Sequence, residues 1–198
     1  MDKKSISSSC GMSLIELIVV VAAIGVIVSV TTPAFSAINR KRELQAASTE
    51  LRSIFRLVRS RAVAEGHNAA VKFVQIDGVW HYAIFDDGDG DGVRTRDIAS
   101  GVDPIAVDYR TVFGTTGHAR IGLPPHPVRD PDRGVVQPDE SPVKFNRSTM
   151  CSFSPLGGGT SGSIYLTEGT ASAVLRVYGP SSRLRLIMLD SVAEGGGR

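Results

Sequence analysis

Apolar residues follow three successive patterns along the chain, and each pattern predicts a different kind of structure. The first is a nearly unbroken apolar run over residues 12–30, in which Glu16 is the one charged residue. A helix rises about 1.5 Å per residue, so this run approaches the roughly 30 Å core of a bilayer. Lipid requires every backbone group to be paired internally, which favours a helix over a strand. The pattern therefore predicts a transmembrane helix over residues 12–32.

The second pattern, over residues 33–66, predicts an amphipathic helix that continues the first. Pro33 would kink the chain or begin a new segment, and Gly66 would end the helix. The apolar residues recur at three- and four-residue steps. They are Leu44, Ala47, Leu51, Ile54, Phe55, Val58 and Ala62.

The third pattern consists of short apolar segments separated by turn signals, which predicts strands after Gly66. The predicted strands cover residues 69–75, 80–85, 105–109, 143–145, 163–166, 173–178 and 184–189. We therefore expect an α+β fold in which a long N-terminal helix, membrane-spanning in its first half and amphipathic in its second, packs on an antiparallel sheet. Residues 67–198 would form this β-rich globular domain.

Composition excludes few functions but argues against catalysis. The chain has 198 residues, a net charge of +2 and 42% hydrophobic residues, so no global field points to nucleic acid. The four histidines are scattered, and the sequence has no metalloprotease, hydrolase or phosphate-loop motif. These observations predict a protein that is not an enzyme. The two cysteines, Cys10 and Cys151, do not suggest a disulfide framework.

Residues 1–36 alone are compatible with two ordinary interpretations. One is a plain membrane anchor in which Glu16 is incidental, and the other is a secretory signal cleaved after Ser36. A carboxylate inside an apolar helix is costly, so Glu16 is a functional residue by default.

The stretch from Gly11 to Val20, GMSLIELIVV, resembles the processing site of type IV prepilins and pseudopilins. It joins a short basic leader (residues 1–11) that ends in glycine to an apolar helix with glutamate as its fifth residue. Met12 departs from that pattern, because phenylalanine is commoner there. The resemblance implies that a prepilin peptidase cleaves after Gly11 and methylates the new N-terminus of Met12. Glu16, one helical turn away, would then neutralise the new amine and guide assembly with other pseudopilins.

The same resemblance implies a single-pass protein of the inner membrane with its C-terminal domain in the periplasm. Within the family, the chain is most similar to the H-type minor pseudopilins of type II secretion and to the FimT-like minor pilins. This similarity depends on the predicted strand 80–85, which runs into an acidic loop, and on the segment 182–185 near the C-terminus. The first function expected is a structural subunit of a secretion pseudopilus, with the inner membrane, the peptidase and other pseudopilins as partners.

The FimT-like alternative is a minor pilin that binds DNA for uptake. Arg183 and Arg185 would share one face of a strand and hold the nucleic acid, as the resemblance implies, although Ser182 stands where that family has glycine. Two arginines supply few phosphate contacts, so an edge strand with its arginines in solvent is the simpler interpretation. The row of Arg52, Arg56 and Arg59 is interpreted either as a solvated helix face or as a contact surface.

The segment from Asp87 to Gly92, DGDGDG, places oxygen ligands at alternate positions and glycine at the sixth, like the front of a calcium loop. Asp87, Asp89 and Asp91 would be the ligands. The twelfth position is Ile98, so the bidentate glutamate is missing and binding would be weak. Aspartate and glycine are equally suited to a solvent-exposed hairpin turn. No other cofactor is expected.

Overall fold

The computed structural model describes residues 13–113 and 119–192, with side chains at positions 28–38, 40 and 41 left aside. The chain forms two compact units, Met1–Asn39 and Arg40–Arg198, and the boundary between them falls inside the first helix. Each unit is therefore described by itself.

Two helices and eleven strands are present in the described residues. The helices are α1 (Leu14–Glu65) and the short α2 (Thr95–Ser100). The strands are β1 (Ala69–Ile76), β2 (Val79–Asp86), β3 (Ile105–Thr111), β4 (Arg120–Ile121), β5 (Val128–Asp130), β6 (Gly134–Val136), β7 (Val143–Phe145), β8 (Met150–Phe153), β9 (Gly162–Thr167), β10 (Ser172–Tyr178) and β11 (Arg183–Ser191).

The strands form two antiparallel sheets. The smaller sheet has the order β3-β2-β1-β8, and the larger has the order β4-β9-β10-β11-β5-β6, with β7 also pairing with β9. β11 pairs with β10 over seven residues but with β5 only at Asp190 and Ser191. This leaves most of one edge of β11 without a neighbouring strand in the described part of the chain.

The C-terminal part of α1 provides the centre of the main core, as its apolar periodicity predicts. All seven residues of the predicted stripe are buried. They share one apolar cluster with residues of both sheets, because a helix with one apolar stripe has to cover it with other elements. Gly66 ends the helix in a left-handed conformation, with φ of 72°, and its N–H bonds to the carbonyl of Ala62.

Phe55 of α1 joins the helix to both sheets through aromatic contacts. Its ring lies 6.0 Å from that of Phe73 on β1, 5.9 Å from Phe145 on β7 and 6.2 Å from Phe153 on β8. Tilted and edge-on ring contacts at this spacing stabilise a core by more than the burial of apolar surface alone. The core thus fixes α1 between the two sheets, and the exposed Arg56 and Arg59 lie beside this contact.

The predicted fold class is wrong in two respects. The protein is mostly β, with 38% strand and 30% helix, so the predicted α+β class is wrong. In addition, none of the helices that the structure describes is both long and apolar enough to cross a membrane. The predicted single-pass anchor in the inner membrane is therefore not supported.

The predicted strands all coincide with observed ones, but the structure adds elements that the pattern did not reveal. These are β4, β5, β6, β8 and α2. Most of them are only two to four residues long, too short for alternation to show. The β5–β6 hairpin lies in a glycine- and proline-rich stretch between the predicted strands 105–109 and 143–145.

Candidate functional site

Among the residues expected to guide processing and assembly, Glu16 lies within the described structure, while Gly11 and Met12 lie outside it. Glu16 is exposed in the first turn of α1. Its carboxylate has no hydrogen bond or ion pair with any residue that the structure describes. Ser13 directly precedes the helix, so Ser13 and Glu16 have the spacing of a capping box, but the described structure shows no capping hydrogen bond between them.

The acidic segment forms a closed loop between β2 and α2. The carboxylate of Asp87 accepts hydrogen bonds from Asn68 Nδ2 at 2.7 Å, from Gly90 N–H at 2.8 Å and from Gly92 N–H at 2.9 Å. Burial opposes ionisation of Asp87, but these hydrogen bonds hold its pKa below the ordinary value. Asp87 therefore organises the turn as an anion.

Asp103 closes the loop from the other side. It is 2% exposed, and it accepts hydrogen bonds from Gly88 N–H at 3.2 Å and Arg94 N–H at 2.8 Å. A Cβ on Gly88 would lie 1.9 Å from the Val102 carbonyl oxygen, so this close approach requires glycine. The aspartates and glycines of the loop thus have an evident conformational role.

Asp87, Asp89 and Asp91 offer ligand atoms within 4.8 Å of one another. Asp91 pairs with Arg94, Asp87 already accepts three hydrogen bonds, and Asp89 accepts one from the Asp91 N–H at 3.2 Å, so all three predicted ligands have other partners. Calcium binding at this loop stays a prediction.

A second acidic cluster, Glu65, His67 and Asp86, is held together by Arg61. The guanidinium donates from Nε and Nη2 to the two carboxylate oxygens of Asp86, at 2.8 and 2.7 Å, and also pairs with Glu65 at 2.9 Å. The hydrogen bond from His67 to the Asn68 carbonyl raises the pKa of His67, with the nearby acids adding to the effect. Because Arg61 already supplies the positive charge, this cluster anchors the helix end to β2.

The structure brings four arginines from two distant parts of the sequence together. Arg56 and Arg59 of α1 line a cavity of about 200 Å³ with Arg183, the first residue of β11. Phe55, Phe153, Ser182 and Leu184 complete its walls. Arg183 and Arg185 line a neighbouring depression of about 280 Å³ with Tyr178. Both cavities are smaller than the roughly 300–1,000 Å³ of typical ligand pockets, so they fit side chains of a larger partner better than a small molecule.

We call Arg56, Arg59, Arg183 and Arg185 the arginine cluster. All four side chains are exposed, and none forms an ion pair or hydrogen bond within the described residues. Ser182 sets the start of β11 by adopting a left-handed conformation, with φ of 48°, and by donating from Oγ to the Gly157 carbonyl at 2.6 Å. A polar side chain thus stabilises a conformation that glycine would adopt more readily.

A buried ionic network lies on the other face of the larger sheet, and nothing in the sequence pattern revealed it. Arg176 on β10 donates from Nη2 to Asp130 on β5 at 2.5 Å, and Tyr165 Oη donates to the same carboxylate at 2.7 Å. Arg176 also pairs with Asp132, and Arg133 donates to Tyr165 Oη at 3.0 Å. These hydrogen bonds and ion pairs connect side chains of β9 and β10 with side chains of β5 and the turn that follows it, so the network joins the β5–β6 hairpin to the sheet.

The described residues bring together no arrangement suited to nucleophilic catalysis. Burial raises the pKa of the Cys151 thiol, whose Sγ contacts the Thr160 carbonyl, so it is a poor nucleophile. His67 and His81 bond to backbone carbonyls. The expectation that the protein is not an enzyme stays a prediction.

Comparison with known proteins adds no further constraint: no protein-family model, curated protein or solved structure matches the chain significantly.

Proposed function

The N-terminal part of α1 exposes apolar side chains around its whole circumference. Leu14 is 76% exposed, Ile15 70% and Val19 61%, and the other large apolar side chains up to Ile27 are at least 41% exposed. A helix that is apolar all round is normally buried by other helices. Exposed apolar surface of this kind marks an interaction site, so we expect other protein chains to cover it.

We propose that the protein is a structural subunit of a pilin-like filament, a minor pseudopilin of a type II secretion system. The observation that carries the proposal is this exposed apolar helix with one carboxylate, Glu16, in its first turn and without a described partner. In the filament, the segment 14–27 packs against the equivalent segments of neighbouring subunits. The domain 40–198 provides the contacts that distinguish this subunit from others.

Glu16 gives the assembly a physical basis. Cleavage after Gly11 by a prepilin peptidase frees the amine of Met12, which the same enzyme methylates. That amine and the Glu16 carboxylate have opposite charges, and pairing them among apolar helices removes the cost of burying either one alone. The pair forms within a subunit or between neighbours.

Mass spectrometry of the protein purified from its native host tests the processing step. We expect a chain that begins at Met12 and carries one additional methyl group. A chain that begins at Ala37 would instead support the alternative of an ordinary secretory signal, and a chain that retains residues 1–11 would contradict the proposal. A Gly11→Ser variant is the matched comparison, because it alters the cleavage site and leaves residues 12–198 unchanged.

The alternative of a FimT-like pilin that binds DNA also stays a prediction. The structure extends the two predicted arginines to a cluster of four, which strengthens the case for an anionic partner. The open edge of β11 beside this cluster indicates which class of partner fits it best.

A further inference from the structure

One edge of β11 presents backbone groups that no described strand pairs. Residues 183–189 bond with β10 on one side, whereas β5 covers the other side only at Asp190 and Ser191. An open row of N–H and C=O groups is a template for another strand. Seven residues at about 3.3 Å each make an open edge of roughly 23 Å.

The direction of the free backbone groups follows from the neighbouring pairing. The N–H of Val192 donates to the Pro127 carbonyl at 3.0 Å, on the β5 side. Backbone direction alternates along a strand, so the N–H and C=O groups of Leu184, Leu186 and Met188 point to the same side. The open edge therefore offers three N–H groups and three C=O groups, at the spacing that an added strand requires.

The arginine cluster lies beside this edge. Arg183 and Arg185 alternate with Leu184 and Leu186, so the two pairs lie on opposite faces. The two leucines pack on the core that contains α1.

Arg56 and Arg59 reach the edge from the α1 side, where they line one cavity with Leu184. Arg183 lines the same cavity and Arg185 lines the neighbouring depression, so the four guanidiniums gather at the start of the open edge, and none has an acidic partner in the described residues.

We propose that this edge binds an extended acidic segment of another protein by strand addition. Main-chain hydrogen bonds to the even-numbered residues supply affinity, and the side chains of the added strand alternate between the two faces. Carboxylates of the added strand would meet the arginines, and bonds between guanidinium and carboxylate are strong and directional. The inference is independent of the filament proposal, because it depends on residues 183–188 and not on segment 14–27.

Two simpler roles of the arginines, protection of the edge against pairing and binding of a nucleic acid, are less consistent with this arrangement. Charged side chains on an edge strand normally prevent pairing, but such protection does not require two further arginines from a helix beside the same edge. A nucleic acid backbone would need a longer basic surface, whereas three of these arginines gather around one small cavity. Four arginines are also few beside the six to ten phosphate contacts that are typical of strong binding.

The test uses the full-length protein and a fluorescent peptide, acetyl-Val-Glu-Glu-Val-Glu-Glu-Val-amide, with binding followed by anisotropy at low salt. Two matched peptides separate the contribution of charge from that of main-chain hydrogen bonds. One carries Gln at every Glu, and the other keeps every Glu but is N-methylated at alternate residues, so that it cannot donate along one edge. We expect both changes to weaken binding by about tenfold or more, as the loss of charged or main-chain hydrogen bonds requires.

Variants of the protein locate the site. Arg183→Ala with Arg185→Ala, and separately Arg56→Ala with Arg59→Ala, should each weaken binding by about tenfold. Arg110→Ala is the control, because Arg110 is an exposed arginine on β3, another strand at a sheet edge. Amide hydrogen exchange should slow at Leu184, Leu186 and Met188 when the acidic peptide binds.

Three results would overturn the proposal. Equal binding of the N-methylated peptide would show attraction by charge without strand addition. Tighter binding of single-stranded DNA than of the acidic peptide, lost in the same arginine variants, would assign the cluster to nucleic acid. Absence of peptide binding, together with self-association of the Arg183→Ala, Arg185→Ala variant, would show that the arginines only protect the edge.

Discussion

Replacing Asp130 with alanine should lower the free energy of unfolding by about 3–5 kcal/mol, the typical cost of removing one partner of a buried ion pair. The side chain of Asp130 is fully buried, and that of Arg176 is 9% exposed. Without Asp130, the guanidinium keeps the ion pair with Asp132 and the hydrogen bond to Ser163 Oγ, and Tyr165 Oη loses its acceptor. The β5–β6 hairpin would lose its main attachment to the sheet.

The effect should also depend on pH. Burial alone would raise the pKa of Asp130, but hydrogen bonds from Tyr165, the Asp132 N–H and Arg176 outweigh it and lower the pKa. A carboxylate with a lowered pKa stabilises the folded state above its unfolded pKa of about 3.9, and this stability is lost as the pH falls through the folded value. The difference between wild type and variant should therefore shrink at acidic pH.

Urea unfolding at pH 7 and pH 3, followed by circular dichroism, measures both effects. Asp139→Ala is the matched control, because Asp139 is an exposed carboxylate in the same region and should change stability by less than about 0.5 kcal/mol. Equal stability of the Asp130→Ala variant and the wild type at pH 7 would mean that the network does not stabilise the hairpin.

The second large effect is expected for Glu16→Gln, which should nearly abolish incorporation into filaments while residues 40–198 remain folded. The reason is that a neutral amide cannot compensate the charge of the Met12 amine in an apolar surrounding. The measurement is the amount of variant in sheared filaments relative to the total in the cell. Asp139→Asn, which neutralises an exposed carboxylate elsewhere, should incorporate normally.

The same substitution separates assembly from a local helix-capping role. Glutamine serves at the third helical position of a capping box as glutamate does, so helix formation from Leu14 should survive the change. Normal incorporation of Glu16→Gln would therefore show that Glu16 only helps to start the helix. Glu16→Asp keeps the charge and should retain part of the incorporation.

The strongest periodic signals in the sequence predicted their elements well. The stripe from Leu44 to Ala62 has a helical period over five turns, and every member is buried. Strands such as β1 and β10 combine β-branched residues with clear turn signals at their ends. Their pairing partners were not predictable, because register depends on residues far apart in the chain.

The remaining features depend on tertiary context. β5 and β6 have three residues each, and they are stabilised by Arg176 and Tyr165 from other strands. In the same way, Arg56 and Arg183 are 127 positions apart (183 − 56) and meet only in the folded domain. The sequence therefore indicated all four arginines of the cluster, in two separate groups, but could not join the helix arginines to the strand edge.

The predicted transmembrane helix is not supported, because none of the helices that the structure describes is both long and apolar enough to cross a membrane. The large apolar side chains of segment 14–27 are instead exposed within this chain. That exposure is the feature on which the proposed assembly depends.

Disulfide cross-linking between subunits tests the proposed assembly most directly. Ile18→Cys introduces a thiol into the exposed apolar helix, and Leu156→Cys places one at a 97% exposed position in the β-rich domain as the control. Cys10→Ser in both removes the thiol of the leader, and Cys151 is buried. We expect oxidation of filaments to produce abundant linked subunits for Ile18→Cys and few for Leu156→Cys. Equal or lower cross-linking of Ile18→Cys would contradict packing of segment 14–27 between neighbouring subunits.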